Sequence, residues 1–132
     1  MNIQKDTELT DLLNEDDPPY ESAEELRIGR ALDEYGIPFF YRKPTVIMNP
    51  ADKHNEIWQP SFTLPQYGCS VIDYIAEQKQ AAERIDIYRY NQIPATVIGP
   101  KDLDKPNFEQ SLYQKLKEEF CRWHNPMAYK EQ

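Results

Sequence analysis

Asp73 is the residue whose surroundings most demand a chemical explanation. It falls between Val71 and Ile75 in the alternating segment from Cys69 to Ala76, so a β-strand there sets its carboxylate on an apolar face. Charged groups on such a face are buried only when paired. That leaves two readings: a carboxylate belonging to a site, or half of a structural ion pair with a partner such as Arg84. Glu25 is the second acid of interest. Ser22-Ala23-Glu24-Glu25 has the spacing of a capping box, in which the hydroxyl and the third-position Glu satisfy free amides at a helix start. A cap role accounts for Glu25 and is compatible with a role in a site.

Other chemistry-bearing patterns have plainer readings. Glu77-Gln78-Lys79 places a Lys two residues after an acid; Glu77 shares Asp73's face by strand parity but lies at the strand's end, which reads as coincidence. Cys121-x-x-His124 has the spacing of half a metal site, but no second pair accompanies it, so it reads as a surface coincidence. His54 has no visible partner, and Cys69 reads as a small buried residue. No Ser/His/Asp or Cys/His nucleophilic grouping can be assembled, and four glycines supply no phosphate-cradling loop.

The elements that must position these residues follow from periodicity and punctuation. A helix starts at Ser22, carries Ile28, Ala31, Leu32 and Tyr35 as its apolar stripe, and stops at Gly36. Ile37 to Met48, rich in aromatic and β-branched residues, predicts a strand with a bulge or edge at Pro44. Glu56 to Leu64 predicts a second strand, with Trp58, Phe62 and Leu64 on one face and Gln59, Ser61 and Thr63 on the other. Pro65-Gln66-Tyr67-Gly68 turns the chain into a third strand, where Ile72 and Tyr74 oppose Val71, Asp73 and Ile75. A helix over 79–91 buries Ala81, Ile85 and Tyr88; Pro94 to Ile98 forms a parallel strand; Asn107 caps a last helix whose stripe runs from Phe108 to Trp123. The fold class is α/β, a mixed four-stranded sheet flanked by helices in the order αβββαβα.

That order, with several local patterns, resembles the small single-domain PD-(D/E)XK nucleases of restriction-endonuclease-like fold. Ser22-x-x-Glu25 with Gly36-Ile37-Pro38-Phe39 resembles their first helix and strand. Pro60-Ser61-Phe62-Thr63-Leu64-Pro65 resembles the second strand, usually Pro-Asp-Phe-x-Leu-Pro, and Val71-Ile72-Asp73-Tyr74 resembles the third. Tyr88, Ile93-Pro94, Val97-Ile98 and Pro100-Lys101-Asp102-Leu103 look like the later helix, strand and exit loop. The resemblance spans residues 20–117 and implies a site at Glu25, Ser61, Asp73 and Ile75, with Arg84 where some members carry a displaced Lys. It also implies departures. The family's metal-binding Asp is Ser61, its Glu is the shorter Asp73, and its Lys is Ile75. Mg²⁺ prefers carboxylate and other oxygen ligands in near-octahedral array, and an Ile can neither orient water nor stabilise an anion. Glu25 and Asp73 are the remaining candidate metal ligands, and Mg²⁺ is the cofactor only if the site functions. Ser61 also has a simpler reading, as part of a solvated strand face with Gln59 and Thr63.

Charge distribution bounds the partners. Residues 1–36 hold eleven acids against three basic residues, which accounts for the whole net charge of −8; the remainder balances. A general nucleic-acid binder shows a basic surplus, and none is present here, although Arg42 and Lys43 with Arg84 and Arg89 can form a local patch. The expected organisation is an acidic, loosely packed arm over 1–19, one domain over 20–124 and a tail over 125–132. Two cysteines, no signal peptide and no membrane-length apolar run suggest a cytoplasmic protein without membrane contact. The leading functional expectation is a catalytically inactive nuclease-like domain serving as a binding or accessory module, with DNA or another protein as partner. The alternatives are an active Mg²⁺-dependent endonuclease with a rearranged site, and a protein-interaction domain whose acidic arm mimics DNA.

Overall fold

The computed structural model describes residues 17–124, with side chains through Phe120. Residues 1–16 of the expected acidic arm and the Cys121 and His124 side chains lie outside the described residues. Helix α1 (Ala23–Glu34) begins where the capping box predicts: Ser22 Oγ accepts the Glu25 N–H at 3.1 Å. It ends in a Schellman arrangement, with Gly36 at φ +68°, the Gly36 N–H on the Asp33 carbonyl and the Ile37 N–H on the Leu32 carbonyl.

Each of the first two predicted strands is divided in two. β1 (Phe40–Tyr41) and β2 (Thr45–Met48) replace the first, and β3 (Asn55–Trp58) and β4 (Phe62–Leu64) replace the second. Tyr41 faces Phe62 and Thr45 faces Trp58, so the antiparallel register is the same on both sides of the gap. Pro44 therefore marks an interruption and not a bulge. The cause is local: Pro44 and Pro60 both sit in the gap without an N–H to give the ladder, and Arg42 takes a left-handed φ of +56°. The Arg42 N–H still reaches the Ser61 carbonyl at 3.1 Å and fixes the near side of the gap.

β1 and β4 join a four-stranded sheet in the order β1-β4-β5-β6, while β2 and β3 form a separate hairpin. β5 (Ser70–Tyr74) runs antiparallel to β4 and parallel to β6 (Ala95–Ile98), reached through helix α2 (Gln78–Tyr90). The mixed four-stranded sheet and flanking helices are those expected from the sequence. A one-turn helix α3 (Pro100–Leu103) stands where an exit loop was expected, with Asp102 Oδ2 accepting the Gly99 N–H; α4 (Phe108–His124) follows.

Within β4 and β5 the strand faces separate as the two-residue period predicts, but Trp58, expected beside Phe62 and Leu64, packs in the opposite layer because the break between β3 and β4 interrupts the alternation. Phe62, Leu64, Ile72 and Ile98 pack with Ile28 and Leu32 of α1 and Phe108, Leu112 and Leu116 of α4. On the other face Val71 and Ala95 pack with Tyr88 of α2, and Ile47 and Trp58 of the hairpin close that layer. Two further expectations fail. Of the predicted α2 stripe only Tyr88 is fully buried, Ala81 and Ile85 being half-exposed, because the first turns of α2 do not close down on the sheet. Cys69 is exposed, since Gly68 and Cys69 both take left-handed φ and place it at the turn. No helix among the described residues is long and apolar enough to cross a membrane.

Ordered packing begins ahead of the first helix. Tyr20 is buried in the main core against Tyr41 and Phe62, and Asp17 pairs with Arg30 at 3.0 Å. Tyr20 lies directly over Gly29, where an added Cβ would collide with its hydroxyl and sit 2.6 Å from Cζ. Gly29→Ala is therefore expected to destabilise the fold by about 1–3 kcal/mol, as overpacking does. In Tyr20→Ala the same substitution should be close to neutral. A double-mutant cycle by denaturant unfolding checks this, and additive effects would contradict the contact.

Candidate functional site

The gap in the strand pair and the end of β5 meet at Asp73. Asp73 is 6% exposed, and its carboxylate carries three partners. Tyr88 donates its hydroxyl to Oδ2 at 2.8 Å, Arg84 donates Nη1 to the same oxygen at 3.1 Å, and Ser61 donates Oγ to Oδ1 at 3.3 Å. Arg84 and Tyr88 lie one turn apart on α2, so a single helix face delivers both. Behind them Trp58 stacks under the Arg84 guanidinium at 4.3 Å and meets Tyr88 edge-on at 5.2 Å.

Ser61 is 1% exposed, so its side chain is not on the solvated face that its neighbours suggest. In the β4–β5 register Tyr74 falls opposite Pro60, and Ser61 Oγ accepts the Tyr74 N–H at 3.2 Å. The hydroxyl thus ends the ladder and braces Asp73 together. Burial pushes the Asp73 carboxyl above its ordinary 3.8, an effect that the Tyr88, Arg84 and Ser61 bonds reduce without cancelling. Burial also pushes the Tyr88 phenol up, with the Asp73 charge adding to it.

Glu25 forms a second closed carboxylate, 2% exposed. Besides belonging to the cap, it accepts the Tyr41 hydroxyl at 2.8 Å and Arg42 Nη2 at 2.9 Å. Arg42 also reaches Glu21 at 3.2 Å. Burial, with the hydrogen bond to Glu25 next, pushes the Tyr41 phenol up to about 12. The left-handed Arg42 at the strand gap is what turns its guanidinium toward Glu25.

The two closed pairs meet at one cavity. Arg42 and Arg84 line a depression of ≈ 300 Å³ with Asp73, Ile75, Gln59 and Gln80 around it. Of the residues singled out from sequence, Asp73, Ile75 and Arg84 share this cavity, Ser61 lies behind Asp73, and Glu25 lies behind Arg42. Glu77 occupies the cap position of α2, and both it and Lys79 are exposed and line no part of this cavity. Of the suggested basic patch only Arg42 and Arg84 come together here. Sequence reading missed the Arg42–Glu25 pair and the role of Tyr88 as a donor. The spacing of Arg84 and Tyr88 opposite a strand acid was the available signal for the latter. Among the described residues no group of three His, Cys, Asp or Glu side chains is placed to hold a metal ion. Comparison of the chain with protein-family models, curated proteins and solved structures gives no match.

Two measurements test this site. Tyr88→Phe leaves one oxygen of a buried carboxylate short of a donor and is expected to lower stability by about 1–3 kcal/mol. Because the folded pKa of Asp73 is raised, its contribution is fully present below 3.8 and is lost as pH rises through the shifted value. The stability of wild type relative to Asp73→Asn, which cannot titrate, should therefore fall as pH rises from 3.8 toward neutrality. Unfolding at a series of pH values checks this. A difference that grows with pH would mean that pairing outweighs desolvation.

Proposed function

We propose that this domain is a non-catalytic binding module on a restriction-endonuclease-like fold, its former metal site closed by protein side chains. The observation that carries the reading is the triple closure of Asp73 by Arg84, Tyr88 and Ser61. A Mg²⁺ site asks for one or two available carboxylates with room for water and phosphate oxygens. Here one Asp73 oxygen is held by a cation and a phenol, the other by the serine hydroxyl, and the neighbouring Ile75 is aliphatic. Glu25 is engaged in the same way by Arg42 and Tyr41. These residues do not fit a resident Mg²⁺.

Arg84 occupies the place of a displaced catalytic Lys, yet its charge is directed to Asp73 and its plane rests on Trp58. A guanidinium stays protonated and is no general base. What remains is a partly polar face at the carboxyl end of the parallel strands, a location where open α/β sheets bind ligands. The balanced charge of residues 37–132 supports recognition by shape and specific contacts over capture of phosphates in bulk.

Incubation of the purified chain with supercoiled DNA and Mg²⁺ or Mn²⁺ is the test. The expected result is no nicking above a protein-free control. Metal-dependent nicking that Asp73→Ala abolishes would overturn the reading and install the rearranged-site enzyme. The closed site also makes a prediction about Ser61→Asp. This change removes the hydroxyl that ends the ladder and sets a second carboxylate against Asp73. The variant should melt several degrees below wild type, about 1 kcal/mol or more, and Mn²⁺ should raise its melting temperature. Wild-type melting should not respond to Mn²⁺.

A further inference from the structure

Beside the arginine cavity, separated from it by Ile75 and Ala76, lies a larger one of ≈ 570 Å³. Three elements build its walls: Ile75 after β5, Ala81 and Ile85 on α2, and Val97 on β6. It exists because α2 seals the sheet only through its last turns, where Tyr88 is buried, while Ala81 and Ile85 stand half-exposed. At the position where the nuclease resemblance calls for a cation, Ile75 gives this cavity an aliphatic wall. The volume lies within the roughly 300–1,000 Å³ typical of small-molecule sites, and apolar walls with a few polar groups at one side are their usual composition.

The charged groups at the rim are Lys101, Lys105 and Asp102, and the single acid is neutralised by its lysine partners. Lys101 is exposed and has no ion-pair partner among the described residues. Lys105 is only loosely held, 3.8 Å from Asp102, because Lys115 takes the same Asp102 oxygen at 2.6 Å. The other Asp102 oxygen accepts the Gly99 N–H at 2.9 Å, which leaves that acid fully engaged. Gln78, at the start of the thirteen-residue helix α2, also lines the cavity, and no side chain caps that helix end. Glu77 stands at that helix end and offsets its partial positive charge, so the positive character of the rim rests on the two lysines. No aromatic side chain lines the cavity, so it offers no stacking platform for a base or an aromatic ring.

We infer that this cavity binds a small amphipathic carboxylate, its aliphatic body between Ile75, Ile85 and Val97 and its carboxylate at Lys101 and Lys105. The inference rests on the reading of this edge as a binding face, and the cleavage assay is read separately, so failure of one does not decide the other.

The test is titration of the ¹⁵N-labelled full chain with monomeric decanoate. Saturable one-to-one binding is expected, with amide shifts centred on Ile75, Ala81, Ile85, Val97 and Lys101. Val97→Trp should abolish it by filling the cavity. Ala81→Leu, from the helix side, should do the same and serves where the Trp variant does not fold. Lys101→Glu combined with Lys105→Glu should weaken decanoate by about tenfold or more, and decanol should bind wild type about tenfold more weakly than decanoate. Absence of saturation, shifts centred on Arg42 and Arg84, unchanged affinity in the filled variants, or equal affinity for decanol would each overturn the proposal.

Discussion

A carboxylate taken out of water carries a desolvation penalty of several kcal/mol that only close, well-oriented partners offset. Asp73 imposes that requirement on the middle of this fold. Its three partners come from two places in the chain, Ser61 from the strand gap and Arg84 and Tyr88 from α2, the latter two steadied in turn by Trp58 of the hairpin. The hairpin, the crossover helix and the central strand therefore share one polar centre within an otherwise apolar layer. Removing one partner leaves the others facing an under-solvated charge, which is why such pairs are strongly destabilising to break even where their net contribution is small.

The interruption at Pro44 and Pro60 is what makes this centre accessible from one side. Pro44 and Pro60 give the ladder no N–H through residues 42–44 and 59–61, where the Arg42 N–H to the Ser61 carbonyl continues it on the near side. The Arg42 side chain turns back to Glu25, the Ser61 hydroxyl turns in to Asp73 and Tyr74, and the preserved register lets β2 and β3 resume over Tyr88. Two prolines and one left-handed residue thus convert a long hairpin into a sheet edge plus a separate flap, with the two arginines at the junction.

Much of this was legible in the residue pattern. The two-residue alternation of β5 set Asp73 on one face with Val71 and Ile75, and Ser22, Glu25 and Gly36 marked both ends of α1 because capping is a local interaction. Pairing across the strand gap was less legible, since a proline reads as bulge, edge or break until its opposite number is known. The Arg42–Glu25 pair depends on a positive φ that sequence gives no reason to expect of an arginine. The exposure of Ala81 and Ile85 was hidden for a different reason: periodicity identifies the apolar face of a helix but not how far along its length that face is covered. Position 61 shows the same limit. A polar strand residue reads as solvated until the carboxylate behind it is placed.

The central claim, that Asp73 is closed to metal by its own neighbours, is tested most directly by paramagnetic relaxation. Titrating Mn²⁺ into the ¹⁵N-labelled protein reports any ion near the amides of Ser61, Asp73 and Tyr74. With Oδ1 and Oδ2 held by Ser61, Arg84 and Tyr88, no saturable broadening centred on these three amides is expected. Saturable broadening there, relieved by Mg²⁺ and lost in Asp73→Asn, would contradict the account.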